Sequence, residues 1–321
     1  MDLSLALMVL IWAGNYTVVK SALREIPPLP FNAIRLTVST LVFAGIVLWG
    51  MRRPDASQRG VFGTTSRLER GEWRLMAVMG LVGHLLYQVF FIYGLDKTSV
   101  ANSALIIGCS PVAVALVTAI AGHERVTRWH WLGGALSVAG LYLVAGRGAE
   151  VTRDSLLGDA SMVGAIFSWA VYTVSARPLL ARHSPLVVNT YTMAFGATAF
   201  VLISLPAISR VEWAEVPAGA WLAAVVSAVF ALNVAYMVWY AAVQRLGNAT
   251  TAMYSNVVPV AAMGIAWLGL GERIDRAKWI GAAAILAGVV LTRFGERVVR
   301  RLAGAWRDRP GGPGSEPPME G

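Results

Sequence analysis

The chain has 321 residues, of which 56% are hydrophobic and only 14% are charged. Soluble domains carry about 25% charged residues, and this composition does not supply the charged exterior that a soluble protein of this size needs. The net charge of +9 comes with no nucleic-acid-binding motif, so we assign it to contact with a membrane surface and exclude nucleic acid as a partner. The sequence predicts an all-α integral membrane protein.

Ten apolar segments are long enough to cross a bilayer, which takes about 20 residues in a helix. The predicted spans are 3–22, 30–49, 74–94, 98–121, 129–146, 157–180, 187–208, 218–243, 248–270 and 277–293. The first segment carries Asp2 where a signal peptide has a basic region, and it lacks a small-x-small cleavage site. We therefore expect it to remain in the protein as a helix.

One stretch of the sequence is written twice. PVAVALVTAIAGHER at 111–125 recurs as PVAAMGIAWLGLGER at 259–273, an offset of 148 residues. At this offset, 99–144 aligns with 247–292 without a gap, and 14 of the 46 positions are identical. The chain is therefore predicted to contain an internal duplication.

The duplication predicts two five-helix repeats, 1–146 and 157–293, followed by a tail, 294–321, that is basic and then disordered. Trp12 in the first span also matches Trp169 in the sixth, at an offset of 157. Because each repeat has an odd number of spans, the second repeat is expected to be inverted relative to the first. Inverted repeats are typical of transporters that work by alternating access.

The basic residues outside the spans predict the orientation. With the N-terminus in the cytoplasm, 17 arginines fall on the cytoplasmic side and 9 basic residues on the other. The positive-inside rule then places both termini in the cytoplasm. We expect a multi-pass protein of the inner, or plasma, membrane, with the lipid bilayer as a partner.

Polar side chains at membrane depth usually face the bundle interior or a cavity. The predicted substrate-binding residues are Trp12, Asn15, Tyr16, His84, Tyr87, Gln88, Asn102, Trp169, Tyr172, Asn233, Tyr236, Tyr240, Tyr254 and Asn256. In span 3, His84, Tyr87 and Gln88 are spaced to share one helix face, and in span 8 the same holds for Asn233, Tyr236 and Tyr240. Two facing stripes of amides and aromatics suit a substrate with an apolar or aromatic body and polar ends. Taken alone, each residue could instead form an interhelical hydrogen bond or an aromatic packing contact.

Few charges lie within the spans. Lys20 and Arg35 could attract a substrate carboxylate, or Arg35 could extend toward the interface and pair with Glu25. Near the span centres there is no Asp or Glu, so a carboxylate proton relay is not supported. His84 is the side chain there that titrates near neutral pH in water, so it could couple transport to protons or bond a neighbouring helix as a neutral group.

The duplicated stretch also carries two candidate gating features. Glu124 and Glu272, each followed by an arginine, could form ion pairs at gates or cap helix ends. Pro111 and Pro259 each remove a backbone hydrogen bond, so each could be a hinge or a fixed kink.

These features together resemble the EamA branch of the drug/metabolite transporter superfamily. The resemblance is carried by two five-helix halves, by Lys20, Arg35, Pro111 and Glu124, and by the repeat that ends in PVAAMGIAWLGLGER. It covers nearly all of 1–293. It implies ten helices in inverted repeats, with helices 1–4 and 6–9 around a central cavity and helices 5 and 10 outside. It also implies export or exchange of small metabolites such as amino acids, without ATP.

Two other classes stay open, a membrane-embedded enzyme and a channel. The four histidines lack HExxH or comparable spacing, so no metal site, cofactor or enzymatic activity is expected. A channel gives no reason for inverted halves. Small residues at four-residue spacing in spans 5 and 10 permit close helix approach, either within the chain or in a homodimer, and a monomer is equally compatible.

Overall fold

The computed structural model describes residues 2–52, 61–64, 68–97, 106–122, 126–144, 156–270 and 276–307. These ranges consist of helices and short connecting turns and contain no strand. The helices are α1 (Asp2–Ala22), α2 (Pro28–Met51), α3 (Arg70–Gly80, Leu81–Leu86 and Tyr87–Lys97 in succession), α4 (Ser110–Ala121), α5 (Arg128–Val144), α6 (Leu156–Leu180), α7 (Pro185–Ile208), α8 (Ala218–Val226, Ser227–Val234 and Ala235–Leu246), α9 (Asn248–Met253, Tyr254–Asn256 and Val257–Leu270) and α10 (Arg276–Arg307). The all-α prediction is confirmed for these residues.

Five helices in the described ranges are long and apolar enough to cross a membrane. They are Pro28–Met51, Arg70–Gly94, Leu156–Leu180, Pro185–Ile208 and Ala218–Leu246. Two shorter apolar helices are Leu3–Asn15 and Ser110–Ala121. By length and composition the described helices thus support half of the ten predicted spans, and the remaining spans stay a prediction.

The outer surface of the bundle is apolar. Leu41, Leu48, Leu202 and Leu222 are each more than half exposed. Soluble monomers seldom expose apolar patches of this kind, whereas lipid tails are a suitable environment for them. The exposed leucines therefore agree with the membrane-spanning helices.

The two halves repeat their local structure at fixed offsets. The Asn32 amide donates to the carbonyl of Pro28 (3.2 Å), and the Asn189 amide donates in the same way to the carbonyl of Pro185 (3.0 Å). Pro185 and Asn189 follow Pro28 and Asn32 by 157 residues along the chain. Equivalent residues thus start α2 and α7.

Helices α3 and α8 match each other at the second offset, 148 residues. They start after Glu69 and Pro217, both in extended backbone conformation. Each helix then contains a π-helical segment, Leu81–Leu86 in α3 and Ser227–Val234 in α8. Such segments interrupt the regular spacing of side chains and are frequent at functional sites.

Helices α5 and α10 pack through reciprocal glycines. A Cβ atom at Gly133 would lie 2.5 Å from the carbonyl oxygen of Gly288, and a Cβ atom at Gly140 would lie 2.5 Å from that of Gly281. At the offset of 148, Gly133 corresponds to Gly281 and Gly140 corresponds to Gly288. Each helix therefore contacts the other through the same two equivalent glycines. The helices therefore cross antiparallel at backbone contact, as small residues permit.

The last helix is longer than the sequence predicts. The predicted span ends at 293, but α10 continues through Arg307. Residues 294–307 contain four arginines and two alanines, which favour helices. The tail from Ala303 was predicted to be disordered, but residues 303–307 belong to α10; residues 308–321 lie outside the described part of the chain.

Candidate substrate site

Four aromatic side chains from α1, α6 and α8 meet in the main buried core. The Trp12 ring lies 6.2 Å from Trp169, 6.4 Å from Tyr236 and 5.5 Å from Trp239 between centroids. Trp169 also lies 5.5 Å from Tyr236 and 5.2 Å from Trp239. These distances are those of favourable aromatic pairs. We call these four residues the aromatic cluster.

Three tyrosines extend the aromatic cluster. Tyr87 lies 5.6 Å from Trp169, Tyr172 lies 5.8 Å from Trp169, and Tyr240 lies 5.5 Å from Tyr172. Tyr172 and Tyr240 are fully buried. The structure thus brings together six of the predicted site residues on α1, α3, α6 and α8.

One side of the aromatic cluster carries a hydrogen-bonded group that we call the hydroxyl pole, made of His84, Tyr172 and Thr192. The Tyr172 hydroxyl lies 2.9 Å from His84 Nε2 and 3.4 Å from Thr192 Oγ1. The His84 ring stacks on Tyr236 at 5.7 Å. His84 is fully buried, and its Nδ1 has no hydrogen-bond partner within the described ranges.

Arg35 forms a second pole together with Asn32, the guanidinium pole. Arg35 is only 7% exposed, its Nη1 donates to Asn32 Oδ1 (2.8 Å), and its guanidinium lies 5.6 Å from the Phe31 ring centre. Tyr87 and Tyr236 are close enough to interact with it electrostatically. No carboxylate in the described part of the chain pairs with it, so the alternative of a Glu25 ion pair is not observed.

Several buried polar atoms on α2 and α8 lack a hydrogen-bond partner among the described residues. The Asn233 amide donates to the carbonyl of Ser39 (2.9 Å). Asn233 Oδ1, Ser39 Oγ, Trp239 Nε1 and Arg35 Nε form no hydrogen bond to any described residue. An unsatisfied buried polar atom costs about 1–3 kcal/mol, so this group of atoms is suited to bind a polar ligand or water.

Two of the predicted site residues connect α1 to α8. The Trp12 indole donates to the carbonyl of Ala231 (3.2 Å), and the Ser227 hydroxyl donates to Asn15 Oδ1 (2.5 Å). Ala231 and Ser227 both lie in the π-helical segment of α8. Asn15 therefore has a helix-connecting role in this conformation.

The remaining predicted residues take varied positions. Gln88 and Asn256 are buried, and neither amide atom of Asn256 is hydrogen-bonded to a described residue. Tyr254 is half-buried against the main core. Pro111 is the second residue of α4, and Pro259 is the third residue of Val257–Leu270, directly after the 3₁₀ turn of α9.

Several predictions fall outside what the structure describes. They concern the side chains of Tyr16 and Lys20 and the whole of Asn102, Glu124 and Glu272. Their proposed roles in binding and gating stay predictions.

The structure also adds residues that the sequence reading missed. Asn32 belongs to the guanidinium pole and Thr192 to the hydroxyl pole, and the Ser39 carbonyl accepts a hydrogen bond from the Asn233 amide. Thr192 could have been found from the repeat, because it is the equivalent of Arg35 at the offset of 157. In the described ranges no group of three or more His, Cys, Asp or Glu could hold a metal ion.

Comparison with known proteins assigns a family to this architecture. The sequence model of the EamA-like transporter family matches residues 1–146 and 156–294. An uncharacterized transporter, YyaM, from Bacillus subtilis (strain 168) is 28% identical, covering 81% of this chain and 87% of YyaM. An uncharacterized transporter from Archaeoglobus fulgidus is 29% identical, covering 90% of this chain and 96% of its own.

A third relative carries a more specific name. The probable terminal-alkyne amino-acid exporter of Streptantibioticus cattleyicolor is 29% identical, covering 90% of this chain and 91% of its own. A crystal structure of a protein matches with a TM-score of 0.72 at 19% identity, covering 94% of this chain and 97% of that one. This likeness shows a shared fold.

Proposed function

Because the chain belongs to the EamA-like transporter family, we propose that it exports or exchanges a small metabolite bearing a carboxylate, such as an amino acid, by alternating access. The family and the named relatives are transporters, which points away from an enzyme. One relative, named a probable amino-acid exporter, supports the substrate class. The site is the aromatic cluster with its two poles.

The observation that carries this proposal is the buried Arg35. A charge that is removed from water without an opposite charge is costly, by several kcal/mol. The hydrogen-bond partner of Arg35 within the described residues is the neutral Asn32. Arginine presents a planar fork of donors that matches a carboxylate. A substrate carboxylate would therefore supply the missing charge.

The rest of the site suits the other parts of an amino acid. The aromatic cluster offers ring faces and edges to an apolar or aromatic side chain, and such faces also attract a cationic group such as an ammonium. At the hydroxyl pole, His84 Nδ1 is buried and unpartnered among described residues. The substrate would thus lie with its carboxylate at Arg35 and its other polar group toward His84 and Tyr172.

We further propose that the chain forms ten transmembrane helices in two inverted repeats, 1–146 and 157–293, with both termini cytoplasmic. The reciprocal glycine contacts of α5 and α10 and the matching starts of α3 and α8 support this arrangement. Exchange of conformation between two such halves opens a central site to each side of the membrane in turn.

Transport into proteoliposomes tests the proposal. The purified protein is supplied with matched ligands: an L-amino acid, its carboxamide and the corresponding amine, each with and without a pH gradient. We expect saturable uptake of amino acids and little of the carboxamide or amine. Equal uptake of all three compounds would refute a role for the carboxylate, and no uptake of any amino acid would refute the substrate class.

A further inference from the structure

Four ionisable residues form a cluster at the end of the bundle where α3 begins and α6 ends. We propose that this cluster of Glu69, Glu72, Arg182 and His183, here named the charged corner, is an electrostatic latch between the two halves that closes one mouth of the substrate site. The proposal rests on the proposed alternating access. Opening of the mouth at the charged corner should depend on charge and ionic strength, whereas opening of the opposite mouth should not.

The charged corner is a connected network of polar contacts. Arg182 Nη2 lies 2.6 Å from Glu69 Oε1, and Arg182 Nη1 lies 2.9 Å from Glu72 Oε1. His183 Nε2 lies 3.0 Å from the same Glu72 oxygen. The other Glu72 oxygen accepts a hydrogen bond from the Glu69 backbone amide (2.9 Å), as the N-terminal capping of α3 requires.

The network crosses from one half of the chain to the other. Glu69 and Glu72 belong to the start of α3, whereas Arg182 and His183 form the turn between α6 and α7. Glu72 and His183 are 9% and 7% exposed, although Glu69 and Arg182 are largely in solvent. A single exposed ion pair contributes little, but a network that includes a buried contact holds its members in one geometry.

Both members of the exposed pair are charged at neutral pH. The hydrogen bond from Arg182 lowers the pKa of the Glu69 carboxyl below its ordinary value. The hydrogen bond to Glu69 correspondingly raises the pKa of Arg182. The ion pair is therefore complete at physiological pH and is screened by salt.

Neighbouring contacts close the same end of the bundle. The Ser184 hydroxyl donates to the carbonyl of Gly63, and the Leu186 amide donates to the carbonyl of Val61 (3.3 Å). From α8, the Gln244 amide donates to the carbonyl of Leu180 (2.6 Å). The ends of α6, α7 and α8 and the segment 61–64 thus meet at the charged corner.

The repeat gives this corner an equivalent with different chemistry. His183 corresponds to Ile26 at the offset of 157, and Glu72 corresponds to Ala220 at the offset of 148. Ile26 and Ala220 lie in one buried apolar cluster, the apolar corner, together with Ala22, Phe31 and Ala224. Glu25, the equivalent of Arg182, is exposed. The same structural position is therefore closed by charges in one half and by apolar packing in the other.

This difference predicts how each mouth opens. Opening the charged corner transfers charges to water, where they are well solvated, so salt and charge changes shift its equilibrium. Opening the apolar corner exposes apolar surface, which ionic screening does not affect in this way. Added salt or a change of charge should therefore shift the opening of the charged corner but not that of the apolar corner.

The test measures access to a cysteine behind each corner. In a Cys109→Ser background, Thr190→Cys reports on α7 behind the charged corner, and Ala33→Cys reports at the equivalent position of α2. Both native residues are buried. The modification rate by a hydrophilic thiol reagent is measured on purified protein, with both ends accessible and without substrate, so the outcome does not depend on the substrate assignment.

We expect Arg182→Gln to raise the labelling rate at Thr190→Cys about tenfold, corresponding to about 1.4 kcal/mol, and to leave Ala33→Cys unchanged. Added salt should raise the rate at Thr190→Cys with Arg182 present and much less with Arg182→Gln. Arg74→Gln, which changes an exposed arginine of α3, is the matched control and should have no effect.

Arg182→Lys, which keeps the charge, should give an intermediate rate, and size-exclusion profiles show whether each variant is folded. No change at Thr190→Cys in a folded Arg182→Gln protein, or equal increases at both reporters, would overturn the latch.

Discussion

Arg35 and Thr192 occupy equivalent positions in the two halves, yet their surroundings differ. Each lies three residues after an asparagine, Asn32 or Asn189, whose amide is bonded to a helix-starting proline. Arg35 is a buried cation with a neutral partner, whereas Thr192 joins the Tyr172 hydroxyl. The halves thus share a scaffold but not a binding chemistry, which suits a substrate with two unlike ends.

The largest effect should come from removing the cation. Arg35→Gln should lower transport of a carboxylate substrate about 100-fold, because losing one partner of a buried charge pair costs about 2–5 kcal/mol. The thermal midpoint of the substrate-free protein should stay level or rise, since an uncompensated buried charge is removed. Proteoliposome uptake and thermal unfolding measure both. A lower midpoint with unchanged uptake would make Arg35 structural.

The shared scaffold is tested at the glycines between α5 and α10. Gly140→Leu places side-chain atoms against the backbone of Gly281, and overpacking of this kind costs about 1–3 kcal/mol or more. We expect a large loss of folded protein in detergent. Gly288→Leu, its equivalent, should behave alike, and Gly134→Leu, where the nearest atom is 3.6 Å away, should be tolerated. Opposite behaviour of Gly140 and Gly288 would contradict a reciprocal contact.

A smaller effect is expected at the hydroxyl pole. Tyr172→Phe removes the hydroxyl that contacts His84 Nε2, and an unsatisfied buried group costs about 1–3 kcal/mol. Substrate affinity should fall about tenfold in titrations of intrinsic fluorescence. Tyr142→Phe, at an exposed tyrosine, is the control. Equal affinities of the two variants would exclude the Tyr172 hydroxyl from binding.

The smallest effect should follow Thr192→Val. The Thr192 hydroxyl is closer to the Val188 carbonyl of its own helix (2.8 Å) than to Tyr172 (3.4 Å). Its loss should therefore reduce substrate affinity less than threefold, corresponding to less than about 0.7 kcal/mol. A reduction as large as that of Tyr172→Phe would show that the threonine itself binds substrate.

Hydropathy and the internal repeat were sufficient to predict an all-α membrane protein of the transporter class, and the family followed from its resemblance at Lys20, Arg35, Pro111 and Glu124. Polar and aromatic residues at membrane depth also predicted the convergence of Trp12, Tyr172 and Tyr236, because such groups seldom face lipid. The charged corner was not predicted, since contacts between a turn and a helix start leave no periodic signal. The π-helical segments of α3 and α8 were likewise not predicted, although the predicted side chains of both helices do face inward.

The central claim is that Arg35 recognises a carboxylate, and ligand binding by a matched pair of compounds tests it most directly. Affinities of one amino acid and its carboxamide are measured for the unmodified protein and for Arg35→Gln, using the fluorescence of the aromatic cluster. The unmodified protein should prefer the acid about 100-fold, matching about 2.7 kcal/mol, and Arg35→Gln should bind both compounds with similar, low affinity. A preference for the acid that survives in Arg35→Gln, or no preference in the unmodified protein, would contradict the account.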